Sequence, residues 1–200
     1  MTAKTPSKLE KVLAAGHFAV TSECGPPRGS DPTTIAEKAE MIKDYVDAIN
    51  ITDNQTSVCR TCSLAICIRL KTMGLEPVLQ MVTRDRNRIA LQSDILGAAS
   101  WDINNILCLT GDHQSFGDSS QGQNVHDLDS MQLLQTVRRM RDEGKFLGGD
   151  AIKRPPEMFI GAAANPFADP FEIRVPRLAK KIAAGAEFIQ TQCIYNLDKF

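Results

Sequence analysis

Apolar and β-branched residues gather into six short runs along the chain, at 18–23, 48–52, 77–82, 105–112, 158–163 and 188–192, and each run ends in or leads to a polar or acidic residue. Continuous apolar runs of this length mark strands covered on both faces. Five of the six lead into a helical pattern or a long loop, an alternation that predicts a parallel β/α barrel. In such a barrel the polar residues at the carboxyl ends of the strands line one mouth, where the chemistry sits. Glu23, Thr52, Gln80, Asp112, Asn165 and Gln192 thereby become one candidate site, although they are spread over nearly the whole sequence.

Between the runs the period changes to that of a helix. Asp31-Pro32 offers an N-cap and a first-turn proline, after which Ile35, Ala39, Ile42 and Val46 recur on one face. The segment 57–73 reads as a second helix stopping at Met73-Gly74, and further helices are expected over 86–96, 127–140 and 177–184, the last stopping at Gly185. The first four strand starts are 30, 29 and 28 residues apart, which matches one strand, one helix and two short loops; the next gap is 53. The excess falls in 113–126 and 142–156. The first of these insertions follows Asp112 directly, so it is a candidate cofactor-covering loop. The fold expected is a TIM-type (β/α)8 barrel that stops after about six β/α units, one domain over residues 1–200. A closed barrel of this type has eight strands and typically about 250 residues. Two further units, or another chain closing the gap in an oligomer or hetero-complex, are therefore expected.

Composition narrows the function classes. With 42% apolar residues and a formal net charge of −1, the chain can bury a core and offers no electrostatic reason to bind nucleic acid or an anionic membrane. No apolar stretch reaches membrane-spanning length and the polar start lacks a secretory core, so the expected location is cytoplasmic. Of the six cysteines, Cys24, Cys108 and Cys193 lie in or just after expected strands, which favours reduced thiols over a disulfide framework. Cys59, Cys62 and Cys67 are closer together, but three thiols are one ligand short of a closed zinc or iron–sulfur site and no histidine is near in sequence; no metal is expected.

Three strand ends, read together, resemble the methylenetetrahydrofolate reductase family. Glu23-Cys-Gly-Pro-Pro-Arg28 is similar to the family's first-strand glutamate followed by Pro-Pro-Arg, Leu109-Thr-Gly-Asp112 resembles its fourth-strand Leu-Arg-Gly-Asp, and 184–192 resembles its Ala-Gly-Ala segment leading to Thr-Gln. The motifs occur in the family's order, and the resemblance covers essentially the whole chain. It implies a flavoprotein oxidoreductase of one-carbon metabolism and tetrahydrofolate interconversion, at the step that feeds methionine biosynthesis. Such an enzyme uses FAD to reduce 5,10-methylenetetrahydrofolate to 5-methyltetrahydrofolate. The wording Arg84-Asp-Arg-Asn-Arg and Gly111-Asp-His-Gln-Ser-Phe-Gly resembles the branch found in one-carbon and acetyl-CoA pathways of anaerobes. Thr110, Asn165 and Asp169 stand where NADH-using bacterial members carry arginine, an aromatic residue and histidine, and the third strand offers Val78 and Gln80 rather than a histidine. The electron donor is accordingly left open between NAD(P)H and a partner redox subunit.

The resemblance also implies roles. Glu23 would be the general acid that protonates the folate nitrogen, with Asp112 beside the flavin and the pterin as the second catalytic residue. Substrate contacts would come from Glu23, Gln80, Asp112 and Gln192, whose amide offers a donor and an acceptor side by side. Flavin contacts would come from Thr52, Gly111, Asp112, His113, Ala163, Asn165 and Lys181. Each has a plainer alternative. Glu23 could be a structural carboxylate bonded to Arg28, Asp112 a turn former bonding its own backbone, Lys181 a solvated helix lysine, and His113 and His126 loop hydrogen-bonders. At the level of the whole chain the alternatives are a pterin-dependent methyltransferase-type barrel and a non-catalytic incomplete barrel subunit.

Overall fold

The computed structural model of the chain describes residues 3–198 and 200. Six strands, β1 (Thr21–Cys24), β2 (Ala48–Ile51), β3 (Pro77–Val82), β4 (Asn105–Leu109), β5 (Phe159–Ala164) and β6 (Phe188–Thr191), form one sheet in the order β1-β2-β3-β4-β5-β6. Every pairing is parallel, and the sheet curls into a half-barrel with helices between the strands. The six expected strands are all present, with five helices, one in each connection between them.

Alternation along each strand sorts the side chains. Ile49, Ile51, Leu79, Met81, Ile106, Cys108, Ile160 and Ala162 point outward into the main core under the helices. Their in-between neighbours Ala48, Val78, Leu107 and Phe159 fill the lower interior of the curl, with Leu9, Ala19, Leu109 and Phe188 against them. Phe159 and Phe188 stack there with ring centroids 4.8 Å apart. Gly161 makes the stack possible, since a Cβ at that position would stand 2.1 Å from the Phe188 ring. One interior step higher the same alternation places Glu23, Asn50 and Gln80 on the inner face, so the interior turns from apolar to polar toward the mouth.

The helices begin and end slightly differently from the sequence expectation, for local reasons. The helix after β1, α2 (Thr33–Ile42), starts one residue later than Pro32 would allow, because Asp31 accepts from the Thr33 N–H at 2.9 Å. α3 covers Ser63–Thr72 only. The stretch before it, expected as helix from 57, is instead a one-turn 3-10 segment over Gln55–Ser57 and an extended loop, so Cys59 is off the helix. α4 (Arg88–Ser100) is capped by the Asn87 side chain, α5 (Ser130–Asp142) by an Asp129/Gln132 capping box, and α6 (Arg174–Ala184) stops at Gly185 with φ +126°. A helix before the first strand, α1 (Lys8–Ala14), has no counterpart in the pattern reading. It is short and its apolar contribution is the single buried Leu9, which plugs the lower interior. Ser7 caps it and donates to Asn105 Oδ1 at 2.5 Å, while Asn105 in turn donates to Glu76 at 2.8 Å.

Candidate functional site at the strand carboxyl ends

A parallel sheet brings all six strand ends to one side, and there the residues fall into two groups. The first spans the loops after β1 to β4. Glu23 stands on the inner face, exposed at the strand end, and among the described residues accepts one hydrogen bond, from Gln80 Nε2 at 3.3 Å. Arg28, its plainer partner from sequence, pairs instead with Asp118 at 2.5 Å. Among the described residues Glu23 therefore has no cation. Next to it in register, Asn50 is buried and donates to the Ser22 carbonyl at 3.3 Å, yet its Oδ1 has no partner among the described residues. A buried acceptor without a donor costs about 1–3 kcal/mol, so this atom fits a ligand N–H.

The loop after β2 is strained and tightly held. Asn54, Thr56 and Ser57 all have left-handed backbone, with φ of 43°, 54° and 59°, a conformation costing of order 1–3 kcal/mol for each non-glycine residue. Thr52 donates to Gln55. Thr56 donates its N–H to Asp112 Oδ2 at 3.1 Å, and Ser57 Oγ lies 2.9 Å from the Asp112 carbonyl and 3.1 Å from that of His113. Asp112 thus bonds across to another strand end, not to its own turn. Its Oδ1 takes no hydrogen bond among the described residues. Gly111 precedes it at φ +90°, a geometry that suits glycine. His113 is exposed and accepts from Ser115 N–H, capping the Gln114–Phe116 turn.

Beneath these loops lie two arginines that sequence reasoning did not single out as site residues. Arg86 pairs with the fully buried carboxylate of Asp53 at 2.6 Å and with Asp94 at 2.9 Å; Asp53 also accepts from Val82 N–H. Burial acts to lower the Arg86 pKa, but the Asp53 hydrogen bond and charge outweigh it and hold the group above its ordinary value. Arg84 is only 2% exposed and pairs with Asp85. Burial would raise the Asp85 carboxyl, yet the hydrogen bond and charge of Arg84 hold it below the usual carboxylate range. The available signal was a charged run, 84–88, directly after an apolar strand.

The insertion 113–126 braces this half of the mouth. Asp118 meets Arg28 of the β1 loop, Val125 donates to the Arg84 carbonyl at 2.7 Å, and Gly117 rests on the Ser57 backbone. It does not line the cavity described next and braces the β1–β3 side of the mouth.

The second group surrounds a cavity of about 560 Å³ between the ends of β5 and β6 and helix α6. Ala163, Asn165, Lys181 and Gln192 all line it. Its floor is apolar, from Leu178 and Ile189, and its rim is cationic, from Arg174, Arg177 and Lys181. Lys181 is not a solvated helix lysine: its Nζ bonds the Ala163 carbonyl, and desolvation lowers its pKa, helped by Arg177. Arg174 caps the Ala168 and Pro166 carbonyls and lies 4.7 Å over the Phe171 ring. The small Ala163 and Ala164 leave flat space at the strand end, and the volume falls within the range of small-molecule sites. A flat ring system carrying phosphates fits this combination of apolar floor and cationic rim.

The cysteines do not converge. Cys67 is fully buried in the core, Cys59 and Cys62 are exposed on the loop before α3, and all six thiols are free. Among the described residues no helix is long and apolar enough to cross a membrane.

A family model described as methylenetetrahydrofolate reductase matches residues 8–200. No curated protein matches the chain. Among solved structures the chain is similar to an uncharacterized protein from Clostridium thermocellum that binds two copies of 5-methyl-5,6,7,8-tetrahydrofolic acid. The TM-score is 0.56 at 14% identity, over 96% of this chain and 60% of that one. It is also similar to 2,3-dimethylmalate lyase of the PEP mutase/isocitrate lyase superfamily, with TM-score 0.49 and 14% identity over 89% of this chain and 60% of that one. The chain thus spans about 60% of the length of both structures. At this identity the first likeness bears on fold alone.

Proposed function

The chain belongs to the methylenetetrahydrofolate reductase family, which gives it a folate-related role, and from that premise we propose that it reduces 5,10-methylenetetrahydrofolate to 5-methyltetrahydrofolate with FAD. The observation that carries this reading is Glu23, an exposed carboxyl on the inner face of the mouth whose one hydrogen bond comes from a neutral amide. General acid catalysis needs a side chain that delivers a proton in the transition state. Glu23 gives that proton to the folate nitrogen as the five-membered ring opens to an iminium. FAD, when bound and reduced, supplies the hydride that the methylene carbon then accepts.

The chain's other residues bind and orient. Asp112 Oδ1, Asn50 Oδ1 and the Gln192 amide offer acceptors and a donor to the pterin edge, and Gln80 orients Glu23. Thr52 and Gly111 would contact a bound flavin from the braced side, Ala163, Asn165 and Lys181 would hold it at the cavity, and Arg174, Arg177 and Lys181 would offer positive charge to its phosphates. The electron donor for such a flavin would be NAD(P)H or a partner redox subunit. A folate is also what the Clostridium thermocellum neighbour binds.

The test is an absorbance spectrum of the purified protein together with Glu23→Gln. The protein should carry the yellow flavin band, and the variant should keep it while losing methylenetetrahydrofolate reduction by roughly 100-fold or more, the scale of general acid catalysis. Near-normal turnover by the variant would show that another group is the acid. A colourless protein that still binds folate would favour a pterin-dependent methyltransferase-type barrel.

A further inference from the structure

We infer that Arg84, through its buried guanidinium, is the positioning residue that holds Asp112 at the mouth by locking the loops after β2, β3 and β4 to one another. The guanidinium has five N–H donors in a fixed fork, and all five are used. Nε and Nη2 meet the two oxygens of Asp85 at 2.7 Å each, the second Nη2 hydrogen goes to the Asn54 carbonyl at 3.2 Å, and Nη1 donates to Ser57 Oγ at 2.9 Å and to the Asp112 carbonyl at 3.1 Å. Those acceptors come from three different strand-end loops. The main chain repeats the connection, since Arg84 N–H donates to the Thr110 carbonyl at 3.1 Å and the Arg84 carbonyl accepts from Val125 at 2.7 Å.

Magnitude argues for a dedicated device. A buried cation costs several kcal/mol unless its partners are well placed, and a simple ion pair with Asp85 would satisfy the charge with only two of the five donors. The other three reach the strained 54–57 loop and the residue whose carboxylate faces the mouth. Ser57 is the relay: it accepts from Arg84 and bonds the Asp112 and His113 carbonyls. Thr56 N–H then fixes Asp112 Oδ2, which leaves Oδ1 turned to the ligand. Gly111 leaves room for this packing: a Cβ there would stand 3.2 Å from Val82 and 3.3 Å from Arg84 Nη1, so these neighbours would have to give by a few tenths of an ångström. Lysine carries the same charge but cannot make the fork.

The inference rests on the proposal that Asp112 contacts folate, and its test is arranged so that the two can fail separately. Hydrogen exchange is measured first, without any ligand. In Arg84→Lys the Thr56 amide should exchange at least tenfold faster while amides of β3 and β4 hold their protection; an unchanged Thr56 amide overturns the inference whatever the protein's activity. Binding of 5-methyltetrahydrofolate is then followed in a double-mutant cycle. Asp112→Asn should weaken binding about tenfold in the parent and less than threefold in Arg84→Lys, because the carboxylate is no longer held. A tenfold loss in both backgrounds means that Arg84 acts on stability alone and overturns the assignment. If the parent binds no folate, the functional proposal fails and the Thr56 amide decides for Arg84. Should Arg84→Lys not fold, Ser57→Ala removes the relay and keeps the arginine. It should speed Thr56 exchange and shrink the effect of Asp112→Asn in the same direction, and failure of both overturns the inference.

Discussion

Replacing Gly117 by alanine tests whether the insertion truly braces the mouth. Gly117 has φ −99° and ψ −173°, extended backbone that any residue adopts, so the substitution acts through space alone. An added Cβ would lie 1.8 Å from the Ser57 carbonyl oxygen and 2.4 Å from its carbon, where real contacts stay above 3.0 Å. One side must therefore move by more than 1 Å. Ser57 cannot yield cheaply, because its side chain is tied to Arg84, Asp112 and His113. The insertion moves instead, loosening the Gln114–Phe116 turn and the Arg28–Asp118 pair. Overpacking of this kind costs about 1–3 kcal/mol. At roughly 2–4 °C per kcal/mol for a domain of this size, Tm should fall by about 2 to 12 °C. Differential scanning calorimetry reads the global effect, and the rate of proteolytic cleavage within 113–126 reads local release. If the variant melts within 1 °C of the parent and is cut at the same rate, the close contact is not a brace.

Thr56→Gly keeps the N–H on Asp112 and removes a β-branched residue from φ 54°; the relief of strain, less the entropy of the glycine, should raise stability by about 1 kcal/mol, seen as a Tm gain of roughly 2–4 °C. A lower Tm would mean that the threonine side chain holds the loop. Asp127 has its carboxyl lowered to about 2, by side-chain and backbone hydrogen bonds from Arg88. A depressed carboxyl stabilises the fold above its unfolded value of about 3.9, and that contribution is lost as pH falls through about 2. Arg88→Ala should move the Asp127 titration upward by NMR and flatten the stability slope across that window. An unmoved titration contradicts the pairing.

The inner strands were legible because they are buried on both faces and so read as nearly continuous apolar runs, as 77–82 and 105–109 do, whereas β1 and β6 at the sheet edges are more open. Their polar ends followed directly, and Glu23, Gln80 and Asp112 do stand at one mouth. What could not be read was pairing across the mouth. Arg84 in sequence is one of several charges after a strand, and only the fold reveals that Asn54, Ser57 and Asp112, each about one β/α unit away, converge on it. The left-handed 54–57 loop was equally hidden, since its residues are not glycines and its strain is compensated by distant partners. Asn50 looked like a strand residue, and its unpartnered oxygen is a property of the interior alone. Helix α1 was missed because seven residues with one buried leucine give no periodicity to detect.

That helix also sets an order of events. Each strand pairs with the next in the chain, so every sheet contact except β4–β5, whose connection is nearly two units long, closes a loop of about one unit, and assembly can advance strand by strand. Helix α1 is the exception. It precedes all six strands, yet its cap bonds Asn105 across 98 positions and the adjacent Lys4 reaches Glu187 across 183. It has nowhere to dock until β3 and β4 are paired and the lower interior has taken shape around Leu9. Helix α1 is thus expected to seat late in folding, and while it is unseated Leu9 does not cover the floor of the curl.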